Sequence, residues 1–176
     1  QIKEAEVSIK NAINIEPNHA EANANLGSIL QKKGEYKQAE ISMRKAIKVN
    51  PNNSIFHLNL GAILKDLGQL DEAKLSVKNA IYINPSDPDS HYNLGTILLQ
   101  LNELEEAQIS MRKAIELKPD FALAHMNLGV ILLELGKTKE AEITTRKAIK
   151  VKPDLALAHY NLGILLKKTD RLEEAQ

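Results

Sequence analysis

Asn93-Leu94-Gly95 is the middle copy of a tripeptide that also stands at Asn25-Leu26-Gly27, Asn59-Leu60-Gly61, Asn127-Leu128-Gly129 and Asn161-Leu162-Gly163. The five copies are 34 residues apart without an insertion or a deletion. Working outward from each glycine, an alanine follows 12 residues on (Ala39, Ala73, Ala107, Ala141, Ala175) and another 19 on (Ala46, Ala80, Ala114, Ala148). A proline closes the pattern 24 residues on, at Pro51, Pro85, Pro119 and Pro153. A chain with a fixed period of this length builds its core between neighbouring repeats, so length counts repeats rather than independent domains.

The register predicts two helices per repeat. The first carries a leucine stripe at spacing four (Leu26/Leu30, Leu60/Leu64, Leu94/Leu98, Leu128/Leu132, Leu162/Leu166), which falls on one helix face. Gly34, Gly68 and Gly136 stop three of these helices, with Asn102 and Asp170 at the same place in the others; glycine and asparagine tolerate the left-handed cap conformation. The second helix runs to the proline, acids early and bases late, as the helix dipole favours. Glu40/Arg44 and Glu142/Arg146 add pairs at spacing four. Asn18, Asn52, Ser86, Asp120 and Asp154, each one residue past a proline, are the expected N-caps, and Pro88 suits a first helical turn. Residues 1–15 read as a second helix with Val7, Ile9, Ala12, Ile13 and Ile15 on its buried side. A glycine inside a helix costs about 1 kcal/mol relative to alanine. Five such glycines require a close approach by the second helix at its alanines.

This pattern resembles the tetratricopeptide repeat (TPR) family over the whole chain. The resemblance implies an all-α, right-handed solenoid of antiparallel helix hairpins spanning residues 1–176. Residues 1–19 would be the second helix of a truncated repeat, 20–53, 54–87, 88–121 and 122–155 complete repeats, and 156–176 a truncated one. Neither end carries a polar capping helix, which leads us to expect a portion of a longer chain.

Composition narrows the function. Lysine plus arginine equals aspartate plus glutamate at 23 each, so no net field holds nucleic acid or an anionic membrane. There is no cysteine for disulfide or thiol chemistry. No apolar run approaches the roughly 18 residues of a membrane span, nor is there a signal peptide, and we expect a cytoplasmic chain. His57, His91, His125 and His159 are spaced by 34, but equivalent points on packed helices stand about 8–10 Å apart. Zinc ligands must each come within about 2.0–2.3 Å of one ion. We expect packing residues there, with no metal and no cofactor. Ser8, Ser42, Ser76, Ser110 and Thr144 recur at one register and read as small exposed residues. A catalytic constellation has to be unique, so no enzymatic residue is assigned. Arg44-Lys45, Lys78, Arg112-Lys113 and Arg146-Lys147 read as a solvated face.

The asparagines Asn25, Asn59, Asn93, Asn127 and Asn161 are the candidate binding residues. Each lies about 100° from the leucine stripe and offers donors and an acceptor suited to the backbone of an extended peptide. Two roles stay open: a ligand-binding ladder, or bonds across repeats that fix the array. Leu123, Met126, Val130, Leu157 and Tyr160, with Tyr92, Leu133 and Ile164, make the same face apolar towards the C-terminal end, a property of contact surfaces. In its asparagine-lined groove the chain is similar to the TPR superhelix of O-linked N-acetylglucosamine transferases and to bacterial arrays. The lysines of the chaperone-type carboxylate clamp are missing. The expectation is a scaffold that binds a protein or peptide partner. A substrate-recognition array of a larger glycosyltransferase or sulfotransferase, and a structural solenoid that self-associates through uncapped ends, are the alternatives.

Overall fold

The computed structural model describes residues 2–168, with side chains from residue 4 onward. Asp170 and Ala175 lie outside the described residues. Among those described there are helices and no strand: α1 (Ile2–Ile15), α2 (Ala20–Lys32), α3 (Tyr36–Val49), α4 (Ser54–Asp66), α5 (Leu70–Ile83), α6 (Pro88–Gln100), α7 (Leu104–Leu117), α8 (Ala122–Glu134), α9 (Thr138–Val151) and α10 (Ala156–Lys168). They form two compact units, Gln1–Pro85 and Ser86–Gln176. In the first, α2 packs on α3 and α4 on α5, and α1 and α3 pack on the helices that follow them. In the second, α6 pairs with α7 and α8 with α9, while α8 packs on α7 and α10 on both α8 and α9.

Among the described residues, every short turn inside a helix pair has the same chemistry. Gly34, Gly68 and Gly136 have φ of 78°, 75° and 73°, and Asn102 takes the same left-handed conformation at φ 60°. This turns the chain so that the next backbone N–H reaches back: Glu35 to the Leu30 carbonyl (2.9 Å), Gln69 to Leu64 (2.9 Å), Glu103 to Leu98 (2.9 Å) and Lys137 to Leu132 (2.8 Å). At the longer turns, Asn50, Asn84, Lys118 and Lys152 each donate to the carbonyl of the second repeated alanine, all at 2.9 Å, before proline ends the helix.

The N-caps fall one residue later than the sequence suggested. His19 accepts from the Ala22 N–H at its Nδ1 (3.3 Å), Asn53 from Ile55 (3.0 Å) and Asp87 from Ser90 (3.0 Å), whereas Phe121 caps α8 without a side-chain bond. The residue after each proline is taken up by the turn, which needs one more step before helical geometry begins.

The two alanines of each second helix, Ala39 and Ala46 and their equivalents to Ala148, are completely buried. Opposite them a Cβ on Gly27 would lie 3.1 Å from the Ala39 carbonyl oxygen, and one on Gly95 would lie 2.8 Å from Met111 Cε. The close approach is therefore present, but the side chains that fill it are not only the alanines. They are Met43, Val77, Met111 and Thr145, one residue per repeat at a single register. Ser42, Ser76 and Ser110 are buried rather than exposed, because each lies three residues after one core alanine and four before the next, on the same helix face. Conversely, Val7 and Ile15 are exposed. Val7 shares the register of Ile41, Leu75, Ile109 and Ile143, which all point away from the partner helix, so its periodicity in α1 does not place it in the core.

Candidate functional site

The spaced histidines have a local task. His57, His125 and His159 place Nε2 at 2.8, 2.9 and 2.8 Å from the carbonyl oxygens of Pro51, Pro119 and Pro153. A carbonyl only accepts, so the proton sits on Nε2 and the ring pins the turn that precedes its own helix. Asn23, at the same register in α2, performs the same function by donating Nδ2 to the Pro17 carbonyl (3.1 Å) and to the His19 carbonyl (2.9 Å). Sequence reasoning missed this role, though the six-residue offset from each proline was a usable signal. Of these three histidines only His125 belongs to the core; His57 is partly exposed and His159 exposed. No group of three or more potential metal-ligating side chains is gathered among the described residues.

The five asparagines are not equivalent. Asn127 on α8 donates Nδ2 to the hydroxyl of Tyr92 on α6 (3.3 Å), a bond between successive repeats. Asn93 turns back to the Asp89 carbonyl of its own helix (2.9 Å). Asn25 is exposed, and Asn59 and Asn161 are partly exposed. Tyr92 owes its position to Phe121, whose ring centroid is 4.8 Å away at 35°, and the Lys118 ammonium lies 4.8 Å from the Phe121 ring in turn. Burial pushes the Tyr92 phenol above its ordinary pKa, and the bond from Asn127 partly offsets that.

The apolar set divides in the same way. Met126, 5% exposed, packs with Ala148, Ala158, Ile149 and Leu155 and does not line a surface. Ala158 of the next repeat is one of those neighbours, and at the same register on α10 Tyr160 is 65% exposed. Leu123, Leu157 and Ile164 are exposed, and Val130 and Leu133 are half-buried. Val130, Leu133, Asn161 and Ile164 line one cleft of about 160 Å³, together with Gly129, Glu134, Thr145 and Leu165. The arrangement places one carboxamide beside an apolar hollow, with Leu157 and Tyr160 on the same helix. It can hold a backbone amide and an aliphatic side chain together, and it holds no acid–base pair.

Family models for the tetratricopeptide repeat match residues 20–53 and 88–121, and 43–74 and 111–143, and a TPR repeat model matches 62–102. No curated protein sequence matches the chain. Among solved structures, MamA is similar at 26% identity and a TM-score of 0.79, over 85% of this chain and 88% of that one. YrrB, described as a TPR protein with an unusual peptide-binding site, shares 23% identity at a TM-score of 0.77, over 95% and 86% of the two chains. PilF of Pseudomonas aeruginosa shares 22% at a TM-score of 0.88, over 99% and 79%. No helix among the described residues is long and apolar enough to cross a membrane.

Proposed function

The chain belongs to the tetratricopeptide repeat family, and on that premise we propose that it is a protein-interaction scaffold that holds an extended segment of a partner protein. The observation that carries this reading is the cleft between α8 and α10, where Val130, Leu133 and Ile164 stand beside Asn161. Aliphatic side chains grouped around one carboxamide suit a peptide whose backbone is hydrogen-bonded while its side chains are buried. YrrB, with its peptide-binding site on a similar fold, supports the class of ligand. The balanced charge favours a protein or peptide over nucleic acid. We assign no catalytic step to these residues.

Of the asparagines, Asn161 is the ligand residue in this reading, Asn25 and Asn59 are available to the same chemistry, and Asn127 is committed to Tyr92. The test is paired. A partner is isolated by pull-down with the wild-type chain, and its affinity is measured for Ile164→Ala and Asn161→Ala beside their thermal melting. We expect melting to be preserved and affinity to fall by about 1–3 kcal/mol, the range for hydrogen bonds left unmade in a desolvated site. Wild-type affinity in both variants would refute this site.

A further inference from the structure

We propose a second docking site, on the outer face of the first unit, for an acidic segment of a partner protein that carries aliphatic side chains between its carboxylates. A cleft of about 510 Å³ runs between α1 and α3, lined by Ile13, Pro17, Asn18, Lys45, Lys48 and Val49. Its floor is aliphatic and its only charges are two ammonium groups. Lys45 and Lys48 are three residues apart on α3, so they project from one helix face, and both are exposed.

The shape by itself is a property of the repeat, because related hollows occur further along. The one between α3 and α5 is lined by Arg44, Ile47, Glu72, Leu75 and Asn79 among others, and the one between α7 and α9 by Arg112, Ile115, Glu116 and Thr144. Charge is what separates them. Arg44 is bound to Glu40 and Glu72 at 2.7 Å each, Arg112 to Glu140 at 2.8 Å, and Glu116 to Lys113 at 2.7 Å, so the arginines of those hollows are already neutralised by the chain itself. Lys48 stands on the ridge between the first two hollows and lines both. At the register of Lys45 and Lys48 the second repeat has Asn79 and Tyr82 and the third has Lys113 and Glu116, while the fourth has the pair again as Lys147 and Lys150. No carboxylate lines the α1/α3 cleft. Glu16 and Glu21 lie in a neighbouring hollow that shares Val49, and they bound the positive region on that side.

A second feature extends the surface. Val7 and Ile41 are 59% and 57% exposed, and Ile41 is one helical turn before Lys45. A segment with a carboxylate over each lysine can therefore place aliphatic side chains on the cleft floor and against Ile41. Partial exclusion of water by that apolar floor strengthens the ion pairs relative to fully exposed ones. The site is distinct from the face of α10: it lies between second helices, in the other unit.

The test uses the whole chain and a phage-displayed library of random 12-residue peptides. We expect an enriched class in which aspartate or glutamate alternates with leucine, isoleucine or valine. In fluorescence anisotropy a synthetic member of that class should lose at least tenfold in affinity on Lys45→Glu/Lys48→Glu, and a smaller amount on Lys45→Gln/Lys48→Gln. Binding should weaken with added salt and stay unchanged in Lys113→Glu and in Asn161→Ala. Circular dichroism melting of each variant establishes that it folds. The proposal is overturned if no acidic class is enriched, or if such peptides bind the double variants as they bind the wild type. A concentration-dependent dimer of the wild type that Lys45→Glu/Lys48→Glu dissolves would overturn it in favour of a second copy of the chain as the occupant.

Discussion

His125 donates its Nε2 proton to the carbonyl oxygen of Pro119 across 2.9 Å, joining the first turn of α8 to the proline that ends the preceding repeat. The bond satisfies a carbonyl that no helix can use, at a residue that is itself 7% exposed. Removing it leaves that acceptor unpaired. We expect His125→Ala to destabilise the chain by about 1–3 kcal/mol, the range for an unsatisfied buried group. His125→Asn should recover part of that, because Asn23 makes the equivalent bond to Pro17. Urea denaturation of the two variants checks the order.

Thr145 is fully buried and its hydroxyl has no hydrogen-bond partner. At the same register Val77 fills the space against Gly61. Thr145→Val keeps the shape and removes the unpaired hydroxyl, so stability should rise by about 1 kcal/mol. An unchanged or lower denaturation midpoint would show that the hydroxyl is satisfied in solution.

Gly95 and Gly129 face side chains of different stiffness. A Cβ at Gly95 meets Met111 along its flexible side chain, Cε at 2.8 Å, Cγ at 3.0 Å and Sδ at 3.2 Å, which an unbranched side chain can relieve by changing rotamer, whereas at Gly129 it runs into Thr145, a β-branched residue with a restricted choice of rotamers. Alanine also improves helix propensity by about 1 kcal/mol at either place. Gly95→Ala should therefore be close to neutral, and Gly129→Ala should destabilise by about 1–3 kcal/mol through overpacking. Paired melting curves test the difference. Gly95→Leu, which Met111 has no room to accommodate, should fall in the same destabilised range as Gly129→Ala.

Asn127 and Tyr92 form a bond between repeats, while Asn93 bonds only within α6. Asn127→Ala should cost about 0.5–1.5 kcal/mol and Asn93→Ala less. In a double-mutant cycle Asn127→Ala and Tyr92→Phe should be non-additive, since each removes the same bond. Additive losses would show that the bond does not contribute.

Glu6 accepts from Lys10 (2.6 Å) and from Lys33 (3.0 Å), tying α1 to the end of α2, and these two partners hold its carboxyl below the ordinary range. A carboxylate with a lowered folded pKa adds stability that is fully present above its unfolded value, about 4.3, and is lost as pH falls through the folded value. The protection of α1 amides from hydrogen exchange, taken relative to the intrinsic rate at each pH, should therefore fall below about pH 4. In Glu6→Gln that acid-dependent loss of protection should be absent.

The period, the two helices per repeat and the turn glycines are legible in the sequence because each depends on residues within about one turn of each other. Helical periodicity and left-handed caps are local chemistry, and helices α2 to α10 follow it. Exposure is decided differently. Position 92 in α6 leaves Tyr92 half-buried against Phe121, whereas position 126 buries Met126 against Leu155 and Ala158, although both occupy one register. The same holds for the second helices: Val7, read as core from its spacing, shares an outer row with Ile41, Leu75, Ile109 and Ile143, each between 57% and 71% exposed. Aliphatic residues on two sides of a helix give no internal sign of which side meets a partner. Likewise Asn93 and Asn127 each precede a Leu-Gly and follow a histidine by two residues, and it is the hydroxyl that Tyr92 brings from the preceding repeat that gives Asn127 a partner outside its own helix. The repeat and its turns follow from chemistry local to the chain; tertiary packing decides which copies of a residue are core and which are bonded, because burial depends on what the neighbouring repeat places opposite.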